Sequence, residues 1–203
     1  MNTLLISDPE CRPEEHVTLE QLFARGLQRF HLRKPKASYH DLKKWLSTLS
    51  AGWLPRVVLH SHYELAQDFD CCGVHLRDTA ERHELLAGLR IKLPEVSIST
   101  SVHALTDLSY WAKHCDYLLL SPVFDCISKP KRRAAFTDND ISSSLSSISK
   151  PVFALGGCSA DKVNRARELG FDGIALLGAV WHSPSPVTSF DNILSVLGTA
   201  QTA

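Results

Sequence analysis

The sequence has no excess of charge of either sign, because 22 lysines and arginines balance 22 aspartates and glutamates over 203 residues. This balance gives no indication of a polyanionic partner such as a nucleic acid. No apolar run approaches the ~20 residues needed to cross a bilayer, and the first residues lack the basic-then-apolar pattern of a secretory signal. We therefore expect a cytoplasmic protein that binds neither nucleic acid nor a membrane.

Cysteine spacings typical of disulfide frameworks or zinc sites are also missing. The sequence contains six cysteines and no C-x-x-C pair. Cys71 and Cys72 are adjacent, which would make a strained structural pair, so we expect reduced thiols, as in a cytoplasmic protein. Most should be small core residues, whereas Cys126 is a candidate for exposure in a loop.

Short apolar runs, in contrast, recur along the whole chain. Eight of them begin near residues 3, 29, 56, 73, 96, 117, 151 and 173: TLLIS, RFHLR, RVVLH, GVHL, VSIST, YLLLS, PVFALGG and GIALLG. Helical patterns lie between them, as at 19–27, 39–49 and 105–113. This alternation predicts an α/β fold, a (β/α)₈ TIM barrel, as a single domain over residues 1–203. A doubly wound open sheet is the alternative.

Glycine ends two of these runs, in ALGG and in LLGA. Backbone N–H groups bared by glycine at the ends of parallel strands are suited to holding an anion, and barrel phosphate sites commonly use the loops after strands seven and eight. The long loop at 121–135 adds a serine and a lysine. The predicted phosphate ligands are Ser128, Lys129, Gly156, Gly157, Gly178 and Ala179.

Histidines fall at several predicted strand ends, where barrel enzymes keep their active sites. The polar residues at these ends are His31 and Arg33, His60 to His62, His75 with Arg77 and Asp78, and Ser101 with His103. One interpretation is a metal-dependent hydrolase or lyase that uses His60, His62 and His75, because an H-x-H pair puts two imidazoles on one side of a strand. No acidic residue stands at a clear ligand spacing from them.

The order of motifs resembles the thiamine phosphate synthase and TenI family of (β/α)₈ barrels, from end to end. The chain reads HLRKP, HSHYELA, GVHLRDTA, SVH, SPVFDCISK, PVFALGG and GIALLG. PVFxxxSK followed by ALGG is the most specific part. The resemblance implies thiazole phosphate as a substrate, aminopyrimidine diphosphate as a second one in synthases, and a homo-oligomer.

The chain departs from the family at the metal ligands. The family's synthases hold Mg²⁺ with the aspartate of N-D-R and the aspartate that ends G-Q-x-D, and these positions are Ser61 and Ala80 here. Mg²⁺ prefers carboxylates and phosphate oxygens, and Asp78 would substitute only if its loop shifted by two residues. The family's lysine in Q-L-R-x-K is also displaced, to Lys34.

A phosphate site and His103 remain, and they resemble the TenI branch, whose members move a ring proton of a thiazole carboxylate phosphate without a metal. A histidine, with an ordinary pKa near 6.5, can give and take a proton at neutral pH. We therefore predict a thiazole tautomerase with no resident metal or cofactor and His103 as the catalytic residue. The predicted substrate-binding residues are His31, Arg33, His60 and Ser101.

Three further points complete these expectations. His75 should be a packed barrel residue, since it stands early in its strand. A divergent thiamine-phosphate synthase, needing Mg²⁺, is the first alternative to the tautomerase. A non-catalytic barrel that binds a thiamine precursor and regulates a partner is the second.

Overall fold

The computed structural model describes residues 1–12, 14–125 and 134–198 and contains a closed barrel of eight parallel strands. The strands are β1 (Asn2–Ile6), β2 (Arg29–Leu32), β3 (Val57–Leu59), β4 (Gly73–Leu76), β5 (Ser97–Val102), β6 (Tyr117–Leu120), β7 (Val152–Leu155) and β8 (Gly173–Leu176). Each pairs with its neighbours in chain order, and Asn2 of β1 pairs with Gly173 of β8. This closing pair confirms the (β/α)₈ barrel and excludes the open sheet.

Helices alternate with the strands. They are α1 (Glu15–Ala24), α2 (Tyr39–Thr48), α3 (Leu65–Asp68), α4 (Arg82–Lys92), α5 (Leu108–His114), α6 (Asp138–Leu145), α7 (Val163–Glu168), α8 (Gly178–Trp181) and α9 (Pro186–Gly198). Short 3₁₀ turns occupy Ala51–Arg56, Leu105–Asp107 and Ala160–Lys162. Among these described helices, none has both the length and the apolar character that a bilayer crossing requires.

The first helix differs from its prediction at both ends. The pattern at 19–27 predicted a helix that includes Leu27, but α1 ends at Ala24 and Gly26 takes a positive φ of 105°. A positive φ ends a right-handed helix, and glycine adopts it without a steric penalty. Leu27 is nevertheless fully buried, so its apolar character reflects packing beyond the helix.

Alternate residues of each strand face outward and pack against the helices. This outer core includes Phe23, Phe30, Trp181 and Phe190, all almost completely buried. Each such side chain contributes roughly 1.5–3 kcal/mol by leaving water. A smaller cluster, formed by Leu4, Ile6, Tyr117, Leu119, Phe153 and Ala175, fills part of the barrel interior.

The cysteines follow the prediction as far as they are described. Cys11, Cys71, Cys72, Cys115 and Cys158 are all free thiols. Burial raises the pKa of both Cys71 and Cys158 to about 12, so neither is a reactive thiolate at neutral pH. Cys126 lies outside the described residues.

Candidate active site

The glycine loop after β7 packs directly against the chain that follows β6. Gly156 and Gly157 have positive φ values of 95° and 67°. A side chain at Gly157 would come within 2.5 Å of the carbonyl oxygen of Asp125. The amides of Val123 and Phe124 donate to the carbonyl oxygens of Leu155 and Gly156, at 3.0 and 3.1 Å. Glycine is therefore required here both for conformation and for close approach.

The second glycine loop joins β8 to α8, which begins at Gly178. Within residues 1–12, 14–125 and 134–198, the backbone N–H groups of Gly157, Gly178 and Ala179 have no hydrogen-bond acceptor. These amides lie at the C-terminal ends of neighbouring strands, β7 and β8, where such donors are suited to binding an anion. Ser128 and Lys129, the other predicted phosphate ligands, lie outside the described residues.

His103 lies immediately beyond β5 and is exposed at the barrel mouth. Its Nδ1 donates a hydrogen bond to the carbonyl oxygen of Ser121 at 2.7 Å. A carbonyl oxygen can only accept, so Nδ1 carries the proton and Nε2 of the neutral ring is left as an acceptor. Ser121 precedes Pro122, and a side chain at Gly156 would come within 3.1 Å of Pro122. His103 thus lies against the segment that also supports the β7 glycine loop.

Ser101 contacts the imidazole of His75 and not that of His103, its near neighbour in the sequence. The sequence predicted Ser101 as a substrate-binding residue, and in the structure its hydroxyl lies 3.0 Å from Nε2 of His75. Nδ1 of His75 lies 2.9 Å from the hydroxyl of Ser99. His75 is therefore held at both ring nitrogens inside the barrel, as expected of a packed residue.

Three histidines from neighbouring strands meet inside the barrel. Nδ1 of His31 lies 3.0 Å from Nε2 of His60, and the rings of His60 and His75 stack at 4.3 Å. Nε2 of His31 lies 2.8 Å from the hydroxyl of Tyr117. We refer to His31, His60 and His75 as the histidine cluster.

Burial lowers the pKa of His31 and of His60 well below the ordinary histidine value, and it lowers the pKa of His75 to about 3. The positive charge of Arg33 lowers the pKa values of His60 and His75 further. The three imidazoles are therefore neutral at physiological pH. Of the predicted substrate-binding residues, His31 is completely buried and His60 is 5% exposed, whereas Arg33 is half-buried at the end of β2.

The alternative ligand set of His60, His62 and His75 is wrong in one member. β3 ends at Leu59, and His62 has a positive φ of 51°. The alternation of an extended strand does not reach His62, whose ring packs at 5.9 Å from Tyr39 instead. Sequence reasoning did not bring His31 together with His60 and His75, because the three residues belong to three successive strand segments and their contact has no local signature.

Lys34, the lysine displaced from its family position, is buried in an ion pair. Lys34 and Glu15 form a buried ion pair at 2.7 Å, with side chains 2% and 1% exposed. Lys34 also donates to the carbonyl oxygens of Asp8 and Glu10, and Glu15 accepts from the indole of Trp45. Lys34 therefore ties the β1–α1 loop to β2 and is unavailable to a ligand.

The described residues do not fit a family-type Mg²⁺ site. Ser61 and Ala80 offer no carboxylate, and Asp78 is paired with Arg82 at 3.0 Å. Asp8, a buried carboxylate just beyond β1 that the sequence did not single out, is paired with Arg12 at 2.6 Å. Mg²⁺ needs several oxygen ligands at octahedral positions, and these carboxylates are already held by arginines.

A closed parallel barrel with glycine loops after β7 and β8, whose amides have no acceptor among the described residues, has the architecture of the phosphate-binding (β/α)₈ barrels. Consistently, the family model described as thiamine monophosphate synthase, TMP-TENI, matches residues 3–180. The chain belongs to this thiamine phosphate synthase/TenI family.

Individual relatives agree with this membership. A thiamine-phosphate synthase of Parasynechococcus marenigrum is 30% identical over 142 residues, which cover 70% of this chain and 40% of that longer protein. One from Desulfitobacterium hafniense is 23% identical over 185 residues, covering 89% of this chain and 88% of the relative. The solved thiamine phosphate pyrophosphorylase of Pyrococcus furiosus superposes with a TM-score of 0.82 at 20% identity, covering 98% of this chain and 96% of that one. The last similarity shows the fold alone.

Proposed function

We propose that this protein is a thiamine-biosynthesis enzyme that binds a thiazole carboxylate phosphate and transfers a ring proton, as a tautomerase. The observation that carries the proposal is the position of His103. Its Nδ1 is fixed by the Ser121 carbonyl, and its Nε2 is left as a base at the mouth. The segment that fixes it also supports the glycine loop proposed to hold the phosphate.

Phosphate binding is the first step. Phosphate oxygens accept hydrogen bonds from the amides of Gly157, Gly178 and Ala179, whose N–H groups have no acceptor in the described parts of the chain. Fixed backbone donors hold an anion without a loss of side-chain rotamer freedom. Ser128 and Lys129 remain predicted ligands of the same group, Lys129 through a charge-assisted bond.

Proton transfer is the second step. Nε2 of His103 removes a proton from the ring, and the imidazolium returns it at another ring position, so atoms and charge balance within one isomerisation. The Ser121 carbonyl, as acceptor of Nδ1–H, holds the ring in one orientation while Nε2 exchanges the proton. Acid–base catalysis of this kind accelerates a reaction about 10²–10⁴-fold. Arg33 is proposed to contact an anionic group of the substrate, and His31, His60 and Ser101 to shape the site behind it.

A thiamine-phosphate synthase is the second candidate, since the relatives carry that name. It would join aminopyrimidine diphosphate to thiazole phosphate. Mg²⁺ supplies the charge neutralisation that diphosphate departure requires. The pairing of Asp78 with Arg82 and the absence of carboxylates at Ser61 and Ala80 favour the tautomerase.

One set of incubations separates these functions. Purified protein is mixed with the thiazole carboxylate phosphate tautomer alone, and separately with thiazole phosphate, aminopyrimidine diphosphate and Mg²⁺. We expect aromatisation in the first mixture and no thiamine phosphate in the second. Thiamine phosphate formation would establish the synthase instead. Binding of the thiazole phosphate without turnover in either mixture would leave the non-catalytic binder.

A further inference from the structure

The histidine cluster has the composition and spacing of a transition-metal site. His31, His60 and His75 each offer one ring nitrogen, and these three atoms lie within 4.8 Å of one another. Tetrahedral zinc, with Zn–N bonds of about 2.0–2.1 Å, separates its ligand nitrogens by about 3.4 Å. The His31–His60 pair is already at 3.0 Å, so small ring movements bring the three nitrogens to ligand positions.

The groups around the cluster are those that orient metal-bound imidazoles. The hydroxyl of Tyr117 lies 2.8 Å from Nε2 of His31, which leaves Nδ1 of His31 for the metal. Ser99 and Ser101 contact the two nitrogens of His75, so either one can stay bonded while the other nitrogen turns to the metal. A ligating histidine commonly makes such a second contact through its other ring nitrogen.

The donor set selects the kind of metal. Three imidazoles suit Zn²⁺ and its first-row neighbours, whereas Mg²⁺ and Ca²⁺ need oxygen ligands. Three protein ligands also leave one position open, as in catalytic zinc sites. His60 follows the end of β3, and the positive charges of Arg33 and Arg77 act on its ring. An anionic oxygen ligand at the open position would offset these charges and that of the metal.

We propose that His31, His60 and His75 bind one Zn²⁺ or Co²⁺ ion inside the barrel, with an open position for water or an anionic oxygen. This site departs from the metal-free expectation drawn from the sequence. It involves residues distinct from the Mg²⁺ positions of the family's synthases and does not depend on the proposed tautomerase reaction.

Cobalt titration of the untagged full-length protein, stripped with a chelator, tests the proposal without any substrate. We expect one equivalent of Co²⁺, visible d–d absorption of a four- or five-coordinate ion, and displacement by Zn²⁺. X-ray absorption of the cobalt and zinc forms should show nitrogen and oxygen ligands and no sulfur. Failure of the wild-type protein to bind either ion, or a sulfur ligand in the spectrum, would overturn the site.

Variants locate the ion. His31→Gln and His60→Asn should each weaken Co²⁺ binding at least about 100-fold, and Tyr117→Phe about 10-fold, within the range of second-contact losses. His62→Gln and His83→Gln are matched controls, because they remove a histidine outside the cluster, and they should bind like the wild type. Circular dichroism and thermal unfolding of each metal-free variant check that it is folded.

If the folded cluster variants bind Co²⁺ as the wild type does, the ion lies elsewhere and the proposal is wrong. If a cluster variant does not fold, the X-ray absorption of the wild-type cobalt and zinc forms decides alone, because multiple scattering from imidazole rings reports how many of them bind the metal. Fewer than three would also contradict the site.

Discussion

The two sides of the barrel interior are filled with different chemistry. On the side of β1 and β6 to β8, the inward residues are mainly apolar: Leu4, Ile6, Leu119, Phe153 and Ala175. On the side of β2 to β5, they are polar: His31, His60, His75, Ser99 and Ser101. Branched apolar residues dominate the interior of most (β/α)₈ barrels, so the apolar side is ordinary and the polar side is the exception.

The apolar side of the barrel interior contributes mainly to stability, whereas the polar side is better suited to binding or chemistry. Apolar interior residues lower the free energy of the folded state by leaving water. Buried polar groups cost free energy unless they are hydrogen-bonded, and a fully bonded network roughly breaks even. The presence of these polar side chains inside the barrel is therefore better explained by ligand binding or catalysis than by a contribution to stability. Both the proposed catalytic base and the proposed metal site lie on that side, whereas the predicted phosphate loops lie on the other.

The largest expected effect is on catalysis. His103→Ala should reduce tautomerisation about 10²–10⁴-fold, because the proposed base is lost, while affinity for the thiazole phosphate stays within about threefold, since no phosphate ligand changes. Steady-state rates and calorimetry measure the two quantities. His114→Ala, which removes a histidine from α5, is the control and should keep full activity. A fully active His103→Ala enzyme would show that His103 is not the catalytic base.

The next expected effect is on stability, through the buried ion pair of Lys34 and Glu15. Lys34→Met should lower the free energy of unfolding by about 3–5 kcal/mol, because Glu15 is left charged and buried without its partner. Lys36→Met is the matched control, since the Lys36–Glu10 pair is 84% and 71% exposed, and it should change stability by less than about 1 kcal/mol. Urea unfolding followed by circular dichroism compares the two. Equal effects would show that the buried pair is not needed for stability.

A third comparison tests the two interior sides against each other. Leu119→Ala leaves a cavity and should cost about 2–5 kcal/mol of stability. Ser99→Ala should cost less, about 1–2 kcal/mol, because His75 loses one hydrogen bond and keeps the one to Ser101. Chemical unfolding of the two variants gives both values. A Ser99→Ala cost as large as that of Leu119→Ala would assign the polar side a stabilising role.

The last expected effect is on phosphate binding. Lys129→Ala should weaken affinity for a thiazole phosphate by about 1.5–3 kcal/mol, the usual contribution of a hydrogen bond to a charged group. Lys113→Ala, at the end of α5, changes a charge away from the proposed loops and should bind normally. Calorimetric titration distinguishes them, and an unchanged affinity in Lys129→Ala would count against this ligand.

Local sequence patterns predicted much of the fold but less of the candidate site. The apolar runs gave the eight strands, and the glycines after β7 and β8 marked two loops, because both signals depend on a few adjacent residues. The predicted pairing of His60 with His62 was wrong because a strand that ends at Leu59 no longer alternates its side chains. Lys34 appeared to be a displaced ligand, but its partner Glu15 lies 19 residues away. Such pairings have no local signature.

By itself, the sequence determined the barrel, the family and the presence of histidines at the ends of several strands. Only the tertiary structure decided which of these histidines meet. Inward or outward direction is a local property with a period of two, whereas the height of a residue inside a closed barrel depends on strand register and stagger. The pairing of Val58 with Gly73 brings His60 level with His75, and the pairing of His75 with Ser99 supplies its hydrogen-bond partner.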